Sequence, residues 1–243
     1  MLFLIIQTGD PVPKAKAVGS FADWFMAGMG LATNQVQVVD VHKGEELPAF
    51  DSEDWTAVLV TGSASMVTEQ LDWMKQTQRW LTEAFAAELP TLGVCFGHQL
   101  IADLLGGQVD YNPLGRHMGL SALTLNDAGR QDKLLGKLSP NNVFNTFVSH
   151  QQNVLQLPQC VTLLGSCEND SNHVFRYKDH VWGVQFHPEW DQSIMRTYIE
   201  AREKALLEEG FDPASMAAQL TDCDEAESLL KHFAAFSQQR KSA

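Results

Sequence analysis

Short apolar, β-branched runs alternate with longer stretches of helical periodicity through the first half of the chain. LFLII (2–6), QVQVVDV (35–41), AVLV (57–60) and TLGV (91–94) read as strands, with helical patterns at 18–30, 70–88 and 97–105 between or after them. This alternation predicts an α/β fold in which a parallel sheet carries helices on both faces. After Gly106-Gly107 the pattern turns to strand-like runs at 119–125, 143–149, 160–165, 173–177 and 181–187, with Lys178-Asp179-His180 as a hairpin turn joining the last two. A tail of two helices follows, divided at Gly210-Phe211-Asp212-Pro213, where Gly can end one helix and Asp-Pro can open another. In the 70–88 helix, Leu71, Met74, Leu81, Ala84, Phe85 and Glu88 form a mostly apolar stripe toward the sheet. Phe21, Trp24, Phe25 and Met29 recur at helical spacing and read as core, with the edge of a pocket as the alternative.

The chain has 243 residues, enough for one large domain or two small ones, and its 44% hydrophobic content excludes a disordered chain. Seventeen basic against 30 acidic side chains give a formal charge of −13, and no basic run is present. That balance argues against nucleic acid and against anionic membrane surfaces as partners. The opening MLFLII is too short for a membrane span and lacks a positive flank, so it reads as a buried first strand rather than a signal peptide. Cys95, Cys160, Cys167 and Cys223 form no C-x-x-C pair and suggest neither a disulfide framework nor a zinc site. A cytoplasmic location is expected. Cys160 and Cys167 read by default as inert core residues.

Cys95 stands apart because Gly93 and Gly97 flank it at two residues on either side, where a strand runs directly into a helix. This Gly-x-Cys-x-Gly pattern is the cysteine counterpart of a nucleophile elbow. The sharp turn holds the nucleophile in a strained conformation, and a Cβ at either flank would strike a neighbouring element. The sulfur then faces a helix N-terminus, whose amides and dipole favour thiolate. A second cluster, Gly183-Val184-Gln185-Phe186-His187-Pro188-Glu189, ends the last expected strand. In extended chain His187 and Glu189 point the same way, so the carboxylate can accept the second imidazole N–H, and Pro188 keeps the pair extended. A nucleophile, a base and an orienter are thereby available, in the order Cys, His, Glu. An α/β-hydrolase carries its acid before its histidine, which disfavours that fold.

GVCFGHQL followed some ninety residues later by GVQFHPE resembles the class I (triad) glutamine amidotransferases, including the amidotransferase domain of GMP synthetase. VLVTGSASMVTEQLDW (58–73) and FVSHQQNVLQLP (147–158) resemble further segments of that family, so the likeness spans roughly residues 2–190. It implies a single flavodoxin-like domain with a mixed, mainly parallel central sheet. Residues 1–190 would form the amidotransferase domain and 191–243 a C-terminal helical extension of it. The resemblance further implies that Cys95 attacks the carboxamide of L-glutamine or another γ-glutamyl compound, that His187 serves as acid and base, and that Glu189 orients it. The amides of Gly62 and Phe96 would form the oxyanion hole, and Gln99, Ser149 and His150 would contact substrate. Two departures are visible: His117 stands where relatives carry an acid in Arg-Glu-φ-Gly, and Gln151-Gln152 replaces Gly-Asp after His150.

No metal or organic cofactor is required by this chemistry, and the eight histidines show no ligand spacing. Residues 191–243 are too few for a synthetase domain and contain no Gly-rich nucleotide loop. Three functions therefore remain open: a glutaminase whose separate synthetase subunit receives the ammonia, a γ-glutamyl hydrolase or peptidase, and a silent ligand-binding or regulatory protein. A homodimer contact through the tail is also left open.

Overall fold

The computed structural model describes residues 1–242. Its first half runs β1 (Leu2–Gln7), α1 (Phe21–Met29), β2 (Val36–Asp40), β3 (Trp55–Val60), α2 (Asp72–Ala86), β4 (Thr91–Val94) and α3 (Phe96–Leu104). There follow β5 (Gln108–Tyr111), β6 (His117–Leu125), α4 (Asp127–Arg130), β7 (Val143–His150), β8 (Gln152–Gln156), β9 (Val161–Cys167), β10 (Asp170–Tyr177) and β11 (Val181–Val184). The tail holds α5 (Gln192–Ala201), α6 (Glu203–Glu208), α7 (Pro213–Ala218) and α8 (Asp224–Lys241).

The central sheet is mixed, in the order β2-β1-β3-β4-β11-β10-β9-β6-β7. From β2 to β11 neighbouring strands pair in parallel, and from β11 to β7 they pair antiparallel. The inner parallel strands are apolar at successive positions because both faces are covered. Phe3, Ile5, Ala57 and Leu59 pack in one cluster with α1, α5 and α8, whereas Leu4, Ile6, Val58 and Val60 pack in the other with α2 and α3. The two-residue strand period thus divides one hydrophobic run between two layers. On the first face, Gly28 lets α8 close onto α1, since a Cβ there would lie 2.4 Å from Leu230 Cδ1. Leu229, Leu230 and Phe233 are consequently fully buried beside β1 and β3.

Several sequence expectations are corrected. β5 and β8 were not anticipated; they form a separate antiparallel pair in which Val109 faces Val154 and most other positions are polar. So short and polar a pair leaves no alternating pattern to read. β11 ends at Val184, so His187 and Glu189 lie beyond the strand. In α2 the stripe loses both ends: Leu71 is the N-cap and 39% exposed, and Glu88 lies past the helix with φ 54°. Thr77 and Trp80 occupy the buried face instead. The tail forms four helices rather than two, because α5 is interrupted at Arg202 and residues 219–223 separate α7 from α8. The expected break holds nonetheless, with Gly210 at φ 86° and Asp212 capping α7 ahead of Pro213. Cys160 is exposed rather than buried.

Candidate active site

β4 delivers Cys95 to the N-terminus of α3 at φ 51°, ψ −103°, a conformation that L residues rarely adopt. The flanking glycines permit it by their lack of side chain. A Cβ on Gly93 would come within 2.6 Å of the Gly97 carbonyl, and one on Gly97 within 2.4 Å of the Val60 carbonyl oxygen. The loop after β3 is tied to the loop after β1: the Thr8 hydroxyl donates to the Gly62 carbonyl (2.9 Å) and the Ser63 hydroxyl to the Thr8 carbonyl (2.7 Å). Gly62 thereby faces Cys95, its added Cβ falling 3.7 Å from Cys95 Cβ and 3.1 Å from His187 Cε1. Among the described residues, the amides of Gly62 and Phe96 donate to no protein acceptor.

His187 hangs past β11 with its amide donating to the carbonyl of Phe147 on β7 (2.8 Å), which ties the segment after β11 to the far strand of the sheet. Its Nδ1 donates to Glu189 Oε1 at 2.7 Å; because a carboxylate only accepts, this bond fixes the proton on Nδ1 and leaves Nε2 for Cys95. The imidazole stacks on Trp190 and Trp190 leans on Tyr198, with centroids 4.2 Å apart in the second pair. Burial opposes a charge on His187, yet the negative potentials of Glu189 and then Cys95 outweigh it and hold the imidazole well above its ordinary pKa. The structure therefore gathers Cys95, His187 and Glu189 at the carboxyl end of the parallel strands, where open α/β sheets place their sites.

Two cavities meet at Cys95. One, of about 160 Å³, is lined by Met66, Gln99, Arg116, His150, Gln151 and Gln152; the other, of about 260 Å³, by Pro11, Val12, Phe21, His187, Trp190 and Tyr198. Ser149 borders both, and its carbonyl lies 4.0 Å from Cys95 Sγ. The Gln99 amide nitrogen is already held by the Gln152 carbonyl (2.6 Å) and Gln185 Oε1 (2.9 Å), which leaves Oε1 as its free polar atom. His150 is buried, with Nδ1 3.1 Å from the Gln152 carbonyl and Nε2 unpartnered. Of the other aromatics expected in the core or at a pocket edge, Trp24 packs on Phe21 and also lines a separate cavity of about 510 Å³ with Glu189 and Trp190, whereas Phe25 is fully buried.

The departure at His117 has a structural counterpart. β6 and β7 place His117 directly opposite His150, ring centroids 5.2 Å apart, and β10 adds His173 within 6.5 Å of both. His173 donates from Nδ1 to the buried Asp170 at 2.9 Å, and Cys167 Sγ lies 3.5 Å away. Histidines scattered along the chain are thus gathered in space, although no group of three or more His, Cys, Asp or Glu among the described residues is arranged to hold a metal ion. Sequence reasoning missed Trp190, Tyr198, Arg202 and the place of His173 beside His117 and His150, since these contacts join segments far apart in the chain; Arg116 and His117 stand in the Arg-x-φ-Gly segment named above, but their partners are set by the fold. No described helix is long and apolar enough to cross a membrane.

An α/β sheet with a strained cysteine at the strand-to-helix elbow and a His–Glu pair beside it defines a class of enzyme. Residues 18–204 match the family described as glutamine amidotransferase class-I, and the chain belongs to that family. Gamma-glutamyl peptidase 5 of Arabidopsis thaliana is 27% identical over 235 residues, which cover 95% of this chain and 93% of the relative. A glutamine-hydrolyzing GMP synthase subunit of Sulfurisphaera tokodaii is 31% identical over 165 residues, covering 65% and 83%. In three dimensions the chain resembles a glutamine amido transferase from Methylobacillus flagellatus with a TM-score of 0.77 at 21% identity, covering 98% of this chain and 94% of that one.

Proposed function

We propose that this protein hydrolyses γ-glutamyl amides through a covalent γ-glutamyl thioester on Cys95. The thiolate attacks the γ-carbonyl carbon, and the amides of Gly62 and Phe96 receive the negative charge that develops on oxygen. Protonated His187 gives its proton to the amide nitrogen as the C–N bond breaks, releasing an amine or ammonia. Neutral His187 then takes a proton from water; the hydroxide attacks the thioester, glutamate leaves, and the proton remains on His187 beside the regenerated thiolate. Glu189 holds the imidazole tautomer throughout. Ser149, His150 and Gln99 Oε1 would bind the glutamyl group in the smaller cavity. Residues 191–243 act here as an extension of the same domain, with α5 contributing Tyr198 to the wall.

The observation that carries this reading is the second cavity, on the His187 side of Cys95. Ammonia, close to water in size, needs on the order of 10–15 Å³ of such space. About 260 Å³ walled by Val12, Phe21, Trp190 and Tyr198 suits a leaving group the size of an amino acid. The near full-length likeness to a gamma-glutamyl peptidase supports the same choice. The match to part of a GMP synthase supports a second reading, release of ammonia from glutamine to a separate synthetase subunit in the cytoplasm. Purified protein offered γ-glutamyl dipeptides and L-glutamine separates them: faster dipeptide turnover, with a γ-glutamyl adduct on Cys95 by mass spectrometry, is expected. Turnover of glutamine alone would favour the synthetase reading, and no adduct from either would overturn both.

A further inference from the structure

Arg202 borders both cavities at Cys95, yet it belongs to neither motif of the site. It lies at the break between α5 and α6, half-buried, and its buried Nε has no hydrogen-bond partner. Arg116 beside it is differently placed, since its Nε and Nη2 hold both Glu209 oxygens at 2.8 and 2.9 Å. Glu209 is the carboxylate whose field reaches Arg202, and that bidentate pairing already engages it. Burial, and then the Arg116 charge, both press the guanidinium toward losing its proton. In a chain with 30 acidic and 17 basic side chains, carboxylate partners are plentiful. A half-buried guanidinium kept without one, at the mouth of a nucleophile, is a charge left open for a ligand.

The larger cavity indicates which anion that is. Asp10 also lines it, but Lys16 and Lys43 approach Asp10 at 2.9 and 3.4 Å, and His187 is held by Glu189, so among the described residues Arg202 is the cation of this lining without a protein partner. A dipeptide's departing amino acid carries a carboxylate into this space, whereas glutamine releases only ammonia. We propose that Arg202 is a specificity-determining residue that binds the carboxylate of the leaving amino acid, making γ-glutamyl dipeptides the preferred substrate class. This assignment rests on the hydrolase reading above.

The test compares γ-glutamylglycine with its C-terminal amide, which differs in that one charge, in the wild-type protein and in Arg202→Gln and Arg202→Lys. The wild-type protein should prefer the acid by about 10- to 100-fold in kcat/KM, mainly through KM. Arg202→Gln should bring that ratio close to one, and Arg202→Lys should restore part of it, which also answers any loss of folding in the glutamine variant. A wild-type enzyme indifferent to the charge, or a ratio unchanged in Arg202→Gln, would overturn the assignment alone. Equal loss on acid, amide and L-glutamine would also overturn it, by moving Arg202 to the glutamyl α-carboxylate. Absence of turnover of every compound by the wild-type protein would instead overturn the hydrolase reading, and this inference with it.

Discussion

The imidazole of His187 lies flat against the indole of Trp190, with ring centroids 3.7 Å apart and planes within 6°. An electron-rich face stabilises an imidazolium, and the stacking leaves the ring no room to tilt away from its bond to Glu189. Trp190→Leu should therefore reduce kcat by about tenfold with a smaller change in KM, and Trp190→Phe should recover most of the loss. Steady-state kinetics on a γ-glutamyl dipeptide checks this, and a pure KM effect would show that Trp190 only shapes the cavity.

Glu189 is the largest influence that raises the His187 pKa, against the opposing effect of burial. A raised pKa keeps the imidazole protonated until pH climbs through the raised value, so activity that needs imidazolium fails on the alkaline side. Glu189→Gln removes the negative charge, so the alkaline limb of the kcat/KM profile should move to lower pH. The rate should fall by about 10²–10⁴, less than for His187→Asn. An alkaline limb that stays in place would show that another group controls it.

Cys95→Ala should lower turnover by at least about 10⁴ while leaving the fold intact. Because the position sits at φ 51°, Cys95→Gly should be more stable than Cys95→Ala by about 1 kcal/mol, as glycine relaxes strain that alanine keeps. Urea unfolding of the two inactive variants measures the difference. His232→Asn, on α8 and part of neither motif, serves as the control for nonspecific loss.

Buried histidines should make the protein acid-labile. Burial holds His98, His117 and His150 well below the ordinary value near 6.5, so these groups stay neutral in the folded state. An unfolded chain takes up their protons as pH falls through 6.5, binds more protons than the native state, and is favoured by about 1.4 kcal/mol per group per pH unit at most. His173 has the opposite sign: Asp170 and Cys167 raise its pKa against burial, so its contribution is full below 6.5 and fades only as pH rises above that. Asp170, lowered, contributes above about 3.8 and loses that contribution below it. The urea midpoint should thus fall steeply from pH 6.5 toward 4, and His117→Leu should make the slope shallower. An unchanged slope in that variant would refute the account.

The elbow and the His-Pro-Glu cluster were legible because their information is local. Small residues two positions either side of Cys95, and a two-residue repeat through Pro188, act over distances set by covalent geometry. The parallel half of the sheet was legible for a related reason, since strands covered on both faces must be continuously apolar. β5 and β8 are not legible in the sequence because a four- or five-residue polar pair carries no period. His117 opposite His150 follows from strand register, which a one-residue slip would reverse. Arg202 borders the cavities at Cys95 only because α5 ends there, after Ile194, Met195, Tyr198 and Ile199 have docked on the core. The chain's chemistry is therefore written in neighbouring residues. The room around it, the stacking of Trp190 on His187 and the guanidinium at its mouth depend on packing between segments far apart in sequence, and arise only when the core closes.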